Sequence, residues 1–194
     1  MIQIICEISN KKHKGLIEWL FTKCDMFTFA VPDFSKPTDL LRNESCSDEA
    51  ICCFGECSEE EKQDIIDYNN KVAEKIAPIK KCVLKNYFDA FYCGFCNGYE
   101  KEIFIVEFNN DTKDFLIQTD NLCLWTYPDM PEDVCFFGNG KCFMRTVAHE
   151  KLMLIYDDGK DTRRSLRNMG IKFRVDIDEP IPLLPRTCAI DFNV

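Results

Sequence analysis

The stretch DVCFFGNGKCFMRTVAHEKLMLIY, residues 133–156, decides the fold. Two apolar runs, 134–137 and 142–147, flank the triplet Gly138-Asn139-Gly140, which is typical of a hairpin turn. A third apolar run, 152–156, follows after a short polar break. Because strands joined by short turns usually pair with one another, this stretch predicts an antiparallel meander.

The sequence before this meander begins with a strand, a helix and a second strand. Residues 2–8 are apolar enough for a strand, and Ser9 or Asn10 can cap a helix after it. A second strand is predicted over 26–31, where Pro32 ends it. This order is compatible with a right-handed crossover. The apolar stripe of the helix consists of Leu16, Ile17, Leu20, Phe21 and Cys24.

The strongest helix start in the sequence is Ser58. Its side chain and that of Glu61 have the spacing of a capping box, in which each accepts a hydrogen bond from a free backbone amide of the other. Pro78 is predicted to end this helix or to kink it. The expected buried stripe consists of Ile65, Ile66, Val72, Ala73 and Ile76.

Further strands and one more helix are predicted around the meander. Asn97-Gly98 favours a hairpin turn, and a strand is expected over 102–108. A helix capped by Asp161 is expected to run to residue 169, with Gly170 in the left-handed position after its end. A last strand is predicted over 171–177.

These patterns predict an α+β fold, a mainly antiparallel sheet with two or three packed helices. The 194 residues suit a single domain over 1–194, interrupted by a long irregular loop at 32–57 that is polar and rich in turn-forming residues. A chain of this length needs no disulfide or metal to support its core.

The 13 cysteines are an unusual feature, and their odd number prevents all of them from pairing within the chain. Residues 1–8 lack the pattern of an export signal, so we expect a cytoplasmic protein with reduced thiols that behave as small hydrophobic side chains. Six of them have apolar neighbours in the sequence: Cys6, Cys24, Cys82, Cys123, Cys135 and Cys142.

The formal net charge of −9 indicates which partners to expect. Nucleic-acid phosphate and anionic lipid are bound mainly through Lys and Arg, so we predict no nucleic acid and no membrane as partners. A basic protein partner fits this charge best, whereas the oligomeric state is left open.

Two cysteine pairs could support other chemistry. Cys93 and Cys96 are spaced like zinc ligands or redox thiols, and Cys53 and Cys57 form a second such pair. Asn97-Gly98 follows the first pair where a redox site needs a helix start. We predict no metal and no other cofactor, with half-buried thiols as the simpler explanation. A zinc-stabilised or thiol-dependent enzyme domain remains the alternative.

Two further groups are candidate functional residues. His149 can serve as a general base or pair with the thiol of Cys135 or Cys142, but a structural hydrogen bond is the simpler expectation. A basic cluster on the last helix can bind phosphate or a carboxylate, although a solvated helix face explains it as well. This cluster consists of Lys160, Arg163, Arg164 and Arg167.

The partner-binding candidates lie at the acidic start of the helix after Ser58. Negative side chains are favoured there by the helix dipole, and they also form a surface for a basic partner. We predict that partner binding involves Glu59, Glu60, Glu61 and Asp64.

Part of the meander resembles a segment found in uncharacterised bacterial cytosolic proteins. The similarity covers residues 131–137, residues 140–143 and His149-Glu150. Some of those proteins resemble immunity proteins, which neutralise toxins by direct binding. The resemblance implies an antiparallel strand unit and a non-enzymatic role. We therefore predict a small acidic interaction protein of immunity type rather than an enzyme.

Overall fold

An eight-stranded sheet in which all neighbouring strands are antiparallel organises the protein. The computed structural model describes residues 1–37, 58–92, 95–157 and 159–175. The strand order is β3-β4-β2-β5-β6-β7-β1-β8. The strands are β1 (Ile2–Ile4), β2 (Met26–Pro37), β3 (Val83–Tyr92), β4 (Phe95–Glu107), β5 (Glu132–Gly138), β6 (Lys141–Val147), β7 (Leu152–Ile155) and β8 (Phe173–Val175).

The described ranges contain four α-helices, and all four contribute side chains to one core cluster on one side of the sheet. We call this side the helix face. The helices are α1 (Asn10–Phe21), α2 (Glu59–Ile76), α3 (Asn110–Gln118) and α4 (Lys160–Asn168). Short 3-10 helices span Ala77–Cys82, Leu122–Leu124 and Ala148–Glu150.

The predicted α+β class and the antiparallel sheet are confirmed. The sheet dominates the fold, and the predicted number of two or three helices was too low. The additional helix is α3. Asn109 accepts a hydrogen bond from the Thr112 backbone amide, and the Thr112 hydroxyl accepts one from the Asn109 amide. This reciprocal cap starts a helix where the polar residues alone look like a turn.

The predicted meander is confirmed in β5, β6 and β7. Gly138 pairs with Lys141 across the turn residues Asn139 and Gly140, which both have positive φ angles. Gly138 itself passes close to the backbone of the segment before β2. A Cβ atom at this position would lie 2.3 Å from the Lys23 carbonyl oxygen, so the turn can form here only with glycine.

The first two strands do not form an adjacent crossover unit. β5, β6 and β7 lie between β2 and β1 in the sheet. Four antiparallel steps separate the two strands, so they run in the same direction although they never pair. The strand-helix-strand pattern is therefore consistent with the relative direction of β1 and β2, but it does not show that three strands lie between them in the sheet.

Two predicted boundaries around β2 and β4 were wrong. β2 does not stop at Pro32 but continues to Pro37, with Pro32 opposite Lys101 of β4. Asn97-Gly98 lies inside β4 rather than in a turn, and Tyr92 pairs with Phe95. Asparagine and glycine tolerate a turn without requiring one, and strand pairing decides the outcome. Residues 38–57 of the predicted loop lie outside the described residues.

The opposite side of the sheet, the second face, has its own apolar cluster. Among the described residues this cluster is built from strands alone, and it consists of Met26, Ala30, Ile103, Ile105, Cys135, Phe137 and Cys142. The six cysteines expected among apolar neighbours are all free thiols that belong to one of the two clusters or pack against it. No described helix is long and apolar enough to cross a membrane.

Candidate functional site

The predicted partner-binding residues lie on the first turns of α2. Glu60 and Asp64 are exposed to solvent, whereas the side chains of Glu59 and Glu61 lie outside the described part. The capping box between Ser58 and Glu61 therefore stays a prediction. Exposed carboxylates continue along the helix beyond these residues, at Asp67 and Glu74.

The acidic side chains of α2 form one continuous stripe. Glu60, Asp64, Asp67, Lys71 and Glu74 recur at spacings of three and four residues, so they share one side of the helix. The stripe is about 21 Å long at the usual helical rise. The Lys71 ammonium forms an ion pair with Asp129, which lies outside the helix. The stripe therefore presents four carboxylates.

An exposed apolar side chain lies on a different side of α2 from this stripe. Ile66 is 51% exposed, although the apolar pattern predicted that it would be buried together with Ala73. The buried side of α2 is formed instead by Tyr68, Val72 and Ile76. Because Tyr68 belongs to the buried side of α2, this side is rotated relative to the predicted one, and Ile66 faces solvent.

The segment before β5 holds α2 in place. The Tyr68 hydroxyl donates a hydrogen bond to the Met130 carbonyl oxygen at 3.3 Å, and its ring lies 4.9 Å from that of Tyr127. Burial raises the pKa of Tyr68, so its hydroxyl keeps the proton that it donates. Together with the Lys71–Asp129 ion pair, these contacts fix the rotation of the helix and therefore the direction of its outer side.

The catalytic alternative based on His149 is not assembled. His149 lies in the 3-10 helix Ala148–Glu150, and its side chain is 54% exposed. Its polar partner in the described part is Glu150, with 3.7 Å between Nε2 and Oε1. Cys135 and Cys142 are buried on the second face, and the hydrogen bond with Cys135, followed by burial, raises the pKa of Cys142. The thiol-imidazole pair does not form.

The structure leaves the alternative of a zinc site untested. Cys53, Cys57 and Cys93 lie outside the described residues, and Cys96 is described as part of β4 without its side chain. Within the described ranges, no three His, Cys, Asp or Glu side chains are close enough to hold a metal ion.

The basic cluster forms the solvated side of α4, as the simpler explanation expected. Arg164 is paired with Asp161 at 2.9 Å, and both side chains are mostly exposed. The Arg167 guanidinium lies 5.6 Å from the centre of the Phe173 ring. The buried side of the helix carries Thr162 and Leu166.

Sequence analysis missed a buried ionisable group at the start of β5. Asp133 is 6% exposed and has a φ angle of 52°, a left-handed backbone that is rare inside a strand. Its Oδ1 accepts a hydrogen bond from the Ala148 amide at 2.7 Å. Burial raises the pKa of Asp133 to about 6, so this carboxyl changes its charge near neutral pH. A lone Asp before an apolar run gave no signal of this.

A buried ion pair lies beside Asp133. Lys101 of β4 is 1% exposed, and its ammonium lies 3.2 Å from a carboxylate oxygen of Glu132 on β5. The two strands are separated by β2, so the pair reaches across one strand. The positive charge of Lys101 lowers the pKa of Asp133, while the negative charge of Glu132 raises it. Strained backbone and a shifted pKa often mark functional positions, and structural ion-pair networks produce them as well.

A groove of about 510 Å³ lies near the end of β1, with two half-buried thiols in its wall. It is lined by residues 3–8, Asn121, Cys123, Leu124, Lys151 and Met153. Burial raises the pKa of Cys123 to about 11, although nearby Lys151 opposes this shift. The thiol is therefore protonated at neutral pH and is a poor nucleophile.

Comparison with known proteins found no matching family model, no matching curated protein and no matching solved structure. The functional interpretation of the outer side of α2 therefore depends on its own geometry and charge.

Proposed function

We propose that the chain is an interaction protein of immunity type in which the outer side of α2 binds a basic protein partner. The observation that carries this proposal is the stripe of exposed carboxylates along α2. The carboxylates pair with Lys and Arg of the partner.

The charge of the whole chain supports the same kind of partner. A formal net charge of −9 attracts a basic protein at a distance, and the stripe then orients it. This attraction acts mainly on the association rate and weakens as salt screens it. Binding is therefore expected to be fast at low ionic strength and strongly dependent on salt.

The anchoring of α2 favours binding without rearrangement. The contacts of Tyr68 and the Lys71–Asp129 ion pair hold the helix in one orientation, so its exposed side chains do not have to be reoriented when a partner binds. Side chains carried by a rigid element lose less conformational freedom on binding than those on a loop.

A thiol-dependent enzyme receives less support. The Cys123 thiol of the groove near β1 keeps its proton at neutral pH, and among the described residues His149 is paired with Glu150 rather than with a thiol. The alternative with Cys53, Cys57, Cys93 and Cys96 stays a prediction, which metal analysis of the purified chain tests directly. Stoichiometric zinc that disappears in a Cys93→Ser variant would establish it.

The binding proposal is tested by capturing partners from the native host at low salt and measuring the affinity of the purified pair. The variant Glu60→Gln/Asp64→Asn/Asp67→Asn should weaken binding by about tenfold or more, because three interface charges are lost. The control Glu18→Gln/Glu150→Gln/Asp161→Asn removes the same charge from other exposed sites and should retain most of the affinity. If no basic protein is captured, or both variants bind equally, the proposal is wrong.

A further inference from the structure

The groove near the end of β1 opens where the sheet splits. β1 and β7 pair only over residues 2–3 and 154–155. After this point β1 stays with β8, and the Ile5 amide donates a hydrogen bond to the Lys172 carbonyl oxygen at 3.0 Å. β1 and β7 therefore separate, and residues from both sides of the split line a groove of about 510 Å³.

The walls of this groove are mainly apolar. Ile4, Ile8 and Met153 are buried, whereas the side chains of Ile5 and Leu124 are 53% and 58% exposed. A chain of apolar atoms in the groove would remove these two side chains from water, which is favourable in proportion to the apolar area covered. The volume of the groove also lies within the range of small-molecule sites.

The uncharged polar side chains of the walls are bonded within the protein. Oδ1 of Asn121 accepts a hydrogen bond from the Cys123 amide at 2.9 Å. Oε1 of Gln3 accepts one from Nε of Arg174 at 2.8 Å. These oxygens therefore already have donors, and a ligand has to be recognised by the charged side chains of the groove.

The charged residues that line the groove are Lys151 and Glu7. Both are exposed, and in the described part of the chain neither has an ion-pair partner. The positive charge of Lys151 lowers the pKa of Cys123, so the ammonium lies near this thiol in the wall. The Lys151 amide donates a hydrogen bond to the Ala148 carbonyl oxygen at 3.0 Å, which holds the backbone from which the side chain extends.

We propose that the groove binds a small monocarboxylate with an unbranched apolar chain, whose carboxylate pairs with the Lys151 ammonium and whose chain covers Ile5 and Leu124. One charged group in a mainly apolar groove fixes the orientation of such a ligand. Glu7 repels the carboxylate, so we expect the apolar end of the ligand to lie beside it. None of the lining residues belongs to α2, so this inference does not depend on the proposed function.

The net charge of the whole chain opposes an anionic ligand only at long range. The formal charge is −9, but at about 0.15 M salt exposed charges are screened beyond about 8 Å. The local ammonium and the apolar walls therefore decide the affinity at this ionic strength, and binding is measured under this condition.

Calorimetric titration of the full-length chain with hexanoate, octanoate and decanoate tests the proposal. The affinity should rise by about twofold or more for each added methylene, because each one covers more of the apolar wall. Lys151→Gln should weaken decanoate binding by about threefold or more. Lys160→Gln on α4 removes the same charge from another exposed position and should leave the affinity unchanged. Circular dichroism checks that both variants are folded.

Thiol alkylation locates the ligand. Cys6 and Cys123 lie half-buried in the wall of the groove, whereas Cys82 lies outside it. Bound decanoate should slow the reaction of Cys6 and Cys123 with iodoacetamide and leave that of Cys82 unchanged. Mass spectrometry of the digested protein measures each thiol separately.

Three results would overturn the proposal. One is the absence of decanoate binding up to about millimolar concentration. Another is equal affinity of the wild type and Lys151→Gln, since the groove would then take an apolar chain alone, such as an apolar segment of a partner protein. The last is unchanged alkylation of Cys6 and Cys123 at saturating decanoate, because the ligand would then lie elsewhere.

Discussion

The two faces of the sheet are buried by different chemistry. The helix face is packed with aromatic rings: the ring of Phe27 lies 5.8 Å from that of Phe108 and 6.0 Å from that of Phe136. The second face combines an apolar strand cluster with the Lys101–Glu132 ion pair. The helix face therefore depends mainly on packing, whereas the second face also depends on a buried ion pair.

Two buried titratable groups respond to pH in opposite directions. On the helix side, burial lowers the pKa of His13, whose Nε2 lies 2.7 Å from the Leu116 carbonyl oxygen. This histidine is stabilised in its neutral form, so its contribution is lost as the pH falls. Burial raises the pKa of Asp133, so its contribution is present at low pH and is lost as the pH rises through about 6.

The largest effect is expected on the helix face. Phe27→Ala removes a fully buried ring at the centre of the aromatic cluster and should lower the free energy of unfolding by about 4 kcal/mol. Urea denaturation measures this. A loss below about 1 kcal/mol would show that the helix face can repack around the cavity, and packing would then not distinguish the two faces.

A somewhat smaller effect is expected from the ion pair on the second face. Glu132→Leu leaves the buried Lys101 ammonium without its carboxylate and should cost about 3 kcal/mol. The double variant Lys101→Met/Glu132→Leu should recover most of this loss, because it removes both charges together. Chemical denaturation of all four proteins at pH 7 gives the coupling. Equal stability of the single and double variants would contradict a charge-dependent second face.

The smallest effect, and a gain in stability, is expected at Asp133. Asn at this position tolerates the positive φ and can still accept the hydrogen bond from Ala148, but it carries no charge. Asp133→Asn should therefore raise the free energy of unfolding at pH 8 by about 2 kcal/mol and flatten its dependence on pH between about 4 and 6. Asp133→Ala is the control that loses the hydrogen bond. The test is the free energy of unfolding of the three proteins, measured from pH 4 to 8. An Asn variant with the same pH profile as the wild type would contradict the assigned pKa.

The meander illustrates what local sequence can predict. Apolar runs separated by Gly138, Asn139 and Gly140 predicted β5, β6 and β7, because a short turn leaves few ways to pair neighbouring strands. The left-handed Gly170 after α4 was predicted for the same reason, since the requirement is local. The start of α3 was missed because Asn109 and Thr112 are as common in turns as in helix caps.

The candidate sites show where local sequence fails. The carboxylates of α2 were expected at the surface, but Ile66 was expected in the core, and contact between Tyr68 and the segment 127–130 rotated it outward. Asp133 and Lys101 look like ordinary surface charges in the sequence. Their burial depends on strands that are about 30 residues apart in the chain and lie on either side of β2.

The sequence by itself determined the α+β class, the meander, the acidic charge and the apolar surroundings of six thiols, because these follow from composition, period and short turns. The tertiary structure alone decided which strands are neighbours, which side of α2 faces outward and which charges are buried. Those features depend on contacts between residues far apart in the chain, and their energies are not encoded in any single segment.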